Sequence, residues 1–375
     1  MTAFPYYGPA DIDALNAQAV TLLKLFAARG YAREEPSVLQ PAALFLDRSG
    51  EEIRRRTFTL TDPAGHDLAL RPDLTIPIAK HLVESGAALP ARRSYNGPVF
   101  RHEPSKSPRG GGQPVQFFQA GVELFGEADR AQGDAEILSL AIEALRAAGL
   151  KDFTIRLGDL GLFGALVDAL ELPAHWRSRL KRHFWRAGYV ETLLDRIGHG
   201  EETSRLPQNE ADIAALLDEQ GNAPPAGRSR AEVIARARAE AAEVLKLDGN
   251  VAGAITRLLD ISAPIEKALA DIRALLKTAG IALDAELAAV EARLALLKTL
   301  GVDLARIEFN AHFGRNMEYY TGFVFELRSA DGATELAGGG RYDNLLELLG
   351  AKRPITAVGC AIHTEKLLAA VKGAA

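Results

Sequence analysis

The ten residues Gln116–Phe125 constrain the fold more than any other stretch of the chain, because their apolar and polar side chains alternate with period two. In an extended strand Phe118, Ala120, Val122 and Leu124 point one way and Gln119, Gly121 and Glu123 the other. One face is a core and the other a polar floor. Val99 to Glu103 reads as a partner strand with Arg101 and Glu103 on one face, and Pro104 to Pro114 reads as a long Gly-rich connection. Such a hairpin implies an antiparallel sheet. A floor that carries an arginine and carboxylates suits a zwitterion. The solvated outer face of an antiparallel sheet alternates in the same way, so the pattern alone does not separate a site from a surface.

Other segments supply the layers that such a sheet needs. Ile12, Leu15, Ala19, Leu22, Leu23 and Phe26 follow helical spacing up to Gly30, the usual place for a helix stop. Ile137, Leu140, Ala141, Ala144 and Leu145 form a second helical stripe closed by Gly149, and Phe153, Ile155 and Leu157 alternate as a strand. Phe58 and Leu60, a turn at Pro63-Ala64-Gly65, then Leu68 and Leu70 read as a hairpin. From about Leu166 to Gly280 the sequence becomes Ala-rich and helical, broken at Asn222-Ala-Pro-Pro-Ala-Gly227. Strand-like sequence returns at Arg306 to Phe313 and Gly322 to Leu327, and Leu345 to Leu349 and Glu365 to Val371 read as closing helices. The expectation is an α+β fold, an antiparallel β-sheet flanked by helices. Residues 1–165 and 281–375 form one discontinuous domain, and 166–280 a helical insertion. A chain of 375 residues exceeds what one core usually holds, which fits two bodies.

Composition narrows the function. Hydrophobic residues are 47% and charged residues 25%, ordinary for a globular chain. The formal net charge of -5 offers no global field to attract nucleic acid. Cys360 is the one cysteine, which rules out an internal disulfide and multi-cysteine zinc motifs and suits a reducing compartment. No basic segment with an apolar h-region opens the chain, and no run of about 18 apolar residues occurs. The expectation is a cytoplasmic protein that does not contact a membrane. Neither a Gly-x-x-x-x-Gly-Lys-[Ser/Thr] loop nor a ligand-spaced histidine pair is present, so no P-loop and no metal are expected.

Four motifs carry a resemblance. Gly97-Pro98-Val99-Phe100-Arg101-His102-Glu103, followed by Gln116-Phe117-Phe118-Gln119-Ala120-Gly121-Val122-Glu123, is similar to motif 2 of histidyl-tRNA synthetases. Leu70-Arg71-Pro72-Asp73-Leu74-Thr75 resembles that family's Leu-Arg-Pro-Glu-Gly-Thr. Arg315-Asn316-Met317-Glu318-Tyr319-Tyr320 resembles its Arg-Gly-Leu-Asp-Tyr-Tyr, and Gly338-Gly339-Gly340-Arg341-Tyr342-Asp343 the approach to its motif 3. The resemblance implies the class II synthetase core, an antiparallel six-stranded sheet with flanking helices, dimerising around Pro36 to Ser49. It also implies a histidine site. Asp73, Thr75 and Gln119 would lie near the ligand's ammonium, Arg101 and Arg315 near its carboxylate, and Glu123 and Tyr320 at the imidazole, with Tyr319 beside them. Free L-histidine is the ligand this set implies, with no cofactor and no catalytic residue.

Other positions depart from the synthetase pattern. The arginine before Gln-Phe is Val115, the motif 2 loop is Ser105-Lys106-Ser107-Pro108-Arg109-Gly110-Gly111-Gly112, and the motif 3 arginine is Lys366. Amino-acid activation on ATP needs placed positive charge at the phosphates, and lysine lacks the bidentate fork of guanidinium. The chain also ends nine residues after Lys366, where synthetases continue into an anticodon-binding domain. The combined pattern resembles the regulatory-subunit family of ATP phosphoribosyltransferase. That resemblance implies a non-catalytic histidine sensor of histidine biosynthesis, a homodimer within a hetero-oligomer with a short-form catalytic subunit. A histidyl-adenylate-forming enzyme is the alternative, since Arg101 and Arg315 are kept. A third is an RNA-binding module using Arg177, Arg179, Lys181, Arg182 and Arg186, a spacing more often seen on a solvated helix face.

Smaller signals read structurally. Gly158-Asp159-Leu160-Gly161-Leu162-Phe163-Gly164 lacks the Gly-x-Gly of a dinucleotide loop and reads as a strand-to-helix turn. Cys360 lies in an apolar run and reads as a buried thiol. Gly338 to Gly340 fits either a phosphate cradle or close backbone packing.

Overall fold

The computed structural model describes residues 6–46, 51–102, 115–170, 172, 174–184, 188–198, 211–212, 214–215, 229–235, 249–314 and 319–373. Its centre is a run of six antiparallel strands in the order β5 (Ala91–Phe100), β6 (Gln116–Phe125), β12 (Ala357–His363), β11 (Glu335–Arg341), β10 (Phe323–Ser329) and β7 (Phe153–Asp159). Six antiparallel strands are the number that the resemblance implied; β5, β6, β7 and β10 fall on stretches read as strands, whereas β11 and β12 were not read as such. Three short strands widen the sheet to nine. β1 (Ala32–Arg33) adds in parallel to β5, β9 (Ile307–Asn310) in parallel to β7, and β8 (Ser262–Pro264) antiparallel to β9. β9 lies in the strand-like Arg306 to Phe313 stretch, whereas β1 and β8, of two and three residues, are too short for alternation to announce them.

Helices cover the core face. α1 (Pro9–Ala28) starts on a proline, which is pre-set for a first turn, and buries Leu22 and Phe26. The central helix α5 (Arg130–Ala147) is capped by Asp129, whose side chain accepts from the Gln132 N–H at 3.1 Å. It buries Ile137, Leu138, Leu140, Ala141, Ile142, Ala144 and Leu145 against Ala120, Val122 and Leu124 of β6, in one continuous core. The stripe is therefore broader than amphipathic spacing implied. Chain direction reverses at Gly149 with φ +100°, a value that glycine adopts at low cost.

The stretch expected as a helical insertion contains α6 (Leu160–Ala169), α7 (Ala174–His183), α8 (Tyr189–Gly198) and α9 (Gly249–Leu259) among its described residues. From Ser262 onward it rejoins the sheet: β8 pairs with β9, and α10 (Ile265–Ala279) packs on β9. α11 (Asp284–Thr299) then lies on α5. An Ala-rich background hides a three-residue strand. The Asn222 to Gly227 break and Arg186 fall outside the described residues, while Lys181 pairs with Asp168 at 2.5 Å.

The opposite face of the sheet carries a second, smaller core. It holds Tyr95, Val99 and Phe125 with Ile76, Ile78, Ala79 and Leu82 of α4 (Thr75–Ser85), and Leu345 and Leu346 of α12 (Asn344–Leu348). A separate three-stranded sheet, β2 (Leu39–Pro41), β4 (Asp67–Leu70) and β3 (Phe58–Thr61), closes its flank. The β3–β4 hairpin is the one read from Phe58, Leu60, Leu68 and Leu70, with Leu60 opposite Leu68 and Phe58 opposite Leu70. β5 is longer than its Val99 signal. Arg92 and Arg93 mask its start, and each finds a carboxylate, Glu136 at 2.7 Å and Glu34 at 2.5 Å. Arg101 and His102 lie just past the strand end, with the Arg101 N–H donating to the Val115 carbonyl at 2.9 Å. Glu103 and the Pro104 to Pro114 connection, Arg109 included, lie outside the described residues.

Gly158 to Gly164 is the strand-to-helix turn expected. β7 runs directly into α6, and Asp159 caps it by accepting from the Leu162 N–H at 3.1 Å. Gly339 serves close packing: a Cβ there would sit 2.2 Å from the Gly359 carbonyl and 2.8 Å from the Phe325 ring. Cys360 is buried at 3% exposure.

Candidate functional site

The polar floor of the sheet opens into a cavity of about 40 Å³ between β6, β11, β12 and the start of α4. Asp73, Thr75, Arg101, Gln119, Glu123, Tyr319 and Tyr320 line it, with Gly338, Tyr342, Gly359, Cys360, Ala361 and His363. Seven of the eight residues implied for a histidine site thus come to one place from four separate segments. The eighth, Arg315, lies outside the described residues.

Glu123 is the most buried charged residue of the cavity lining, 1% exposed. Three hydroxyls hold it. Thr75 Oγ1 donates to Oε1 at 2.6 Å, the Tyr95 hydroxyl to the same oxygen at 3.2 Å, and the Tyr342 hydroxyl to Oε2. Burial pushes its carboxyl up to about 7, against the pull of those three donors, and neighbouring Asp73 adds to the rise. Glycine makes this pose possible, because Gly359 faces Glu123 across the β6–β12 register and a Cβ there would lie 1.7 Å from Oε2.

Asp73 and Gln119 are 3% exposed each. Asp73 Oδ1 accepts from the Ile76 N–H at 3.1 Å, at the first turn of α4, while Oδ2 has no hydrogen-bond partner. Burial raises the Asp73 pKa and the Arg101 guanidinium opposes the rise. Gln119 Oε1 is buried without a partner as well. Native proteins rarely leave such atoms unsatisfied, and each costs about 1–3 kcal/mol when they do. Two orphan acceptors beside a guanidinium describe a site that awaits a ligand with donors at one end and an anion at the other. A zwitterion supplies both, and the ammonium group makes the charge-assisted bonds that are strongest.

Arg101 is pinned rather than free to swing. Its Nε donates to the Pro72 carbonyl at 2.7 Å and its guanidinium lies 5.2 Å from the centre of the Phe117 ring. Tyr319 is buried, tilted against Tyr320 at 4.8 Å and edge-on to Tyr342 at 5.6 Å. Sequence reading did not assign Tyr95, Tyr342, Gly359 or His363 to the site. Tyr342 carried a signal, since it stands in the quoted Gly-Gly-Gly-Arg-Tyr-Asp run. Tyr95 reaches Glu123, and His363 the cavity, through strand pairing that no local pattern encodes.

The family model described as histidyl-tRNA synthetase matches residues 4–241 and 213–367. The ATP phosphoribosyltransferase regulatory subunit of Allorhizobium ampelinum is 38% identical over 364 residues, 93% of this chain and 96% of that one. Its counterpart from Mesorhizobium japonicum is 38% identical over 368 residues, 94% and 96% of the two chains. The chain belongs to the ATP phosphoribosyltransferase regulatory subunit family. Solved structures agree on the fold of this regulatory-subunit family. An ATP phosphoribosyltransferase regulatory subunit/histidyl-tRNA synthetase from Bacillus halodurans superposes with TM-score 0.70 at 24% identity, over 99% of this chain and 83% of that one. Histidyl-tRNA synthetase from Nostoc sp. PCC 7120 gives 0.68 at 17% identity, over 99% and 74%. Both share the class II synthetase core described above.

Proposed function

We propose that the chain is the non-catalytic regulatory partner of an ATP phosphoribosyltransferase catalytic subunit, and that the cavity around Glu123 is the histidine site through which the end product restrains that enzyme. The observation that carries the reading is the convergence of Asp73, Gln119, Glu123 and Arg101 on one small cavity with two buried acceptors left open. Asp73 Oδ2 and Gln119 Oε1 take the ammonium, Arg101 and Arg315 take the carboxylate, and Glu123 takes an imidazole N–H with Tyr319 and Tyr320 against the ring. Val115 and Lys366 stand where synthetases place phosphate-binding arginines, which favours sensing over amino-acid activation. Feedback then needs only that histidine favour one quaternary state, and a coupling of about 1–3 kcal/mol gives roughly 5- to 150-fold control.

The partner assigned here is the short-form catalytic subunit, in a cytoplasmic hetero-oligomer that contains a homodimer of this chain. One feature supports the homodimer. Strand register puts Leu39, Pro41, Phe58, Leu60, Leu68 and Leu70 on one face of the small sheet, with Leu39 43% and Leu60 40% exposed. An apolar sheet face open to water marks a contact surface. Negative net charge disfavours nucleic acid, and no described helix is long and apolar enough to cross a membrane.

Two measurements test the reading together. Calorimetric titration with L-histidine, with and without ATP and magnesium, should show binding that ATP neither assists nor consumes. Adding the chain to its cognate catalytic subunit should raise activity and confer histidine inhibition. Histidine-dependent exchange of pyrophosphate into ATP would replace the sensor by an adenylate-forming enzyme, and a catalytic subunit indifferent to the chain would remove the regulatory role.

A further inference from the structure

Two residues that line the cavity, Arg101 and His363, both lean on the Phe117 ring. Phe117 carries the Arg101 guanidinium 5.2 Å from its ring centre and the His363 imidazole stacked at 5.0 Å with 28° between the planes. Arg101 and His363 both line the cavity. Backbone ties on either side fix the cluster. The Phe118 N–H donates to Glu365 Oε1 at 2.8 Å, Thr364 Oγ1 donates to the Phe118 carbonyl at 3.3 Å, and Glu365 Oε1 also accepts from the Tyr7 hydroxyl at 2.9 Å. Strand β6 and the first turn of α13 (Thr364–Gly373) are thereby clasped at the point where Phe117 and His363 meet.

Any conjugate of an amino acid through its carboxylate, whether ester, amide or acyl phosphate, must leave the site past the group that receives that carboxylate. In the pose above, which this inference rests on, Arg101 is one of the two groups that receive it. We propose that the Arg101–Phe117–His363 cluster is a stop that makes the pocket specific for the free amino acid and excludes carboxylate-linked conjugates, aminoacyl nucleotides among them. His363 is the specificity-determining residue of the three. Guanidinium and phenyl can serve a carboxylate in any pocket, whereas the imidazole adds bulk to the lining beside Arg101 and meets Phe117 face to face. A sensor gains from this. It reads the concentration of the end product and ignores activated forms of the same amino acid made for other purposes.

The test is calorimetric titration of the full chain with L-histidine and with its non-hydrolysable adenylate mimic, a histidyl sulfamoyl adenosine, for the wild type, His363→Gly and His363→Ala. The alanine variant covers the case in which glycine loosens the start of α13, and far-UV circular dichroism confirms folding. The wild type should prefer free histidine over the mimic by about 100-fold or more, and both variants should cut that ratio by about tenfold or more. The ratio is the readout because a merely structural loss weakens both ligands alike. A wild type that binds the mimic as tightly as histidine overturns this inference and leaves the histidine site standing. Variants that keep the wild-type ratio overturn it too. No histidine binding by the wild type overturns the parent reading and this one with it.

Discussion

Two clusters of buried charge lie on opposite sides of the same sheet, and they differ in how completely their atoms are used. Behind the sheet, Asp134 of α5 accepts from Arg341 Nε at Oδ1 and from Arg293 Nε at Oδ2, at 2.9 Å each. Arg293 of α11 reaches on to Asp159 at 3.0 Å and covers the Phe323 ring at 4.5 Å, and Arg341 reaches Asp343 and the Arg130 carbonyl, both at 2.9 Å. Both oxygens of Asp134 are bonded. In front of the sheet, Asp73 Oδ2 and Gln119 Oε1 have no partner, and Glu123 is held by neutral hydroxyls alone. The first cluster is a joint between helix and strand. The second keeps two buried acceptors open, as a ligand site would.

If that contrast is right, the two clusters respond oppositely to mutation. Arg293→Ala should destabilise the fold by about 3–5 kcal/mol, because Asp134 and Asp159 each lose a partner while buried. Urea unfolding gives the number, and histidine titration of the folded variant should show affinity within a few-fold of wild type. A drop in affinity as large as the drop in stability would break the comparison, since the joint would then also be part of the site.

Glu123 should behave in the opposite sense. Its carboxyl stands at about 7 in the folded chain against an ordinary 4.5, so between those values the folded state holds a proton that the unfolded state has released. Stability therefore falls as pH rises through that window and levels off above it, by about 3 kcal/mol in all. Glu123→Gln cannot titrate and should lose this slope. The difference between wild-type and variant unfolding free energies from pH 4.5 to 8 isolates it from every other group. The same variant should bind histidine roughly 10- to 100-fold more weakly, the worth of one hydrogen bond to a charged group. A flat difference curve would mean that the three hydroxyls fully offset burial and that the pocket is as satisfied as the joint.

Much of this contrast was legible in the chain, and the remainder has a physical reason for hiding. Alternation in Gln116–Phe125 placed Gln119 and Glu123 on the polar face, and the Leu-Arg-Pro-Asp-Leu-Thr run brought Asp73 and Thr75 to the same cavity. The number of antiparallel strands followed from the resemblance, and the strand reading found β5, β6, β7 and β10 but not β11 or β12. Partnerships between elements far apart in sequence were not legible. Arg293 and Asp134 are separated by 159 positions, and Tyr342 and Glu123 by 219. Such contacts are fixed by strand order and by which helix lies behind which strand, which leave no periodic trace. β8 escaped for a related reason, as three residues in an Ala-rich stretch paired only by tertiary context. His363 carries no signal of its own in the sequence, and only its register opposite Gln119 brings it to the lining of the pocket.

The smallest effect offers the sharpest test of the contrast itself. Gln119→Met keeps length and flexibility and removes the orphan oxygen. In a satisfied network, such a change leaves a partner stranded and costs stability. Here no partner of Oε1 exists to strand, so the unliganded chain should be unchanged or more stable by about 1 kcal/mol, the lower end of what an unpaired buried acceptor costs. Histidine should then stabilise the variant less than the wild type at equal ligand concentration, because the ammonium has lost an acceptor. Thermal unfolding with and without saturating histidine reads both quantities. A variant that is less stable when empty would show that Gln119 already has its hydrogen bonds, and the case for an open site would pass to Asp73 alone.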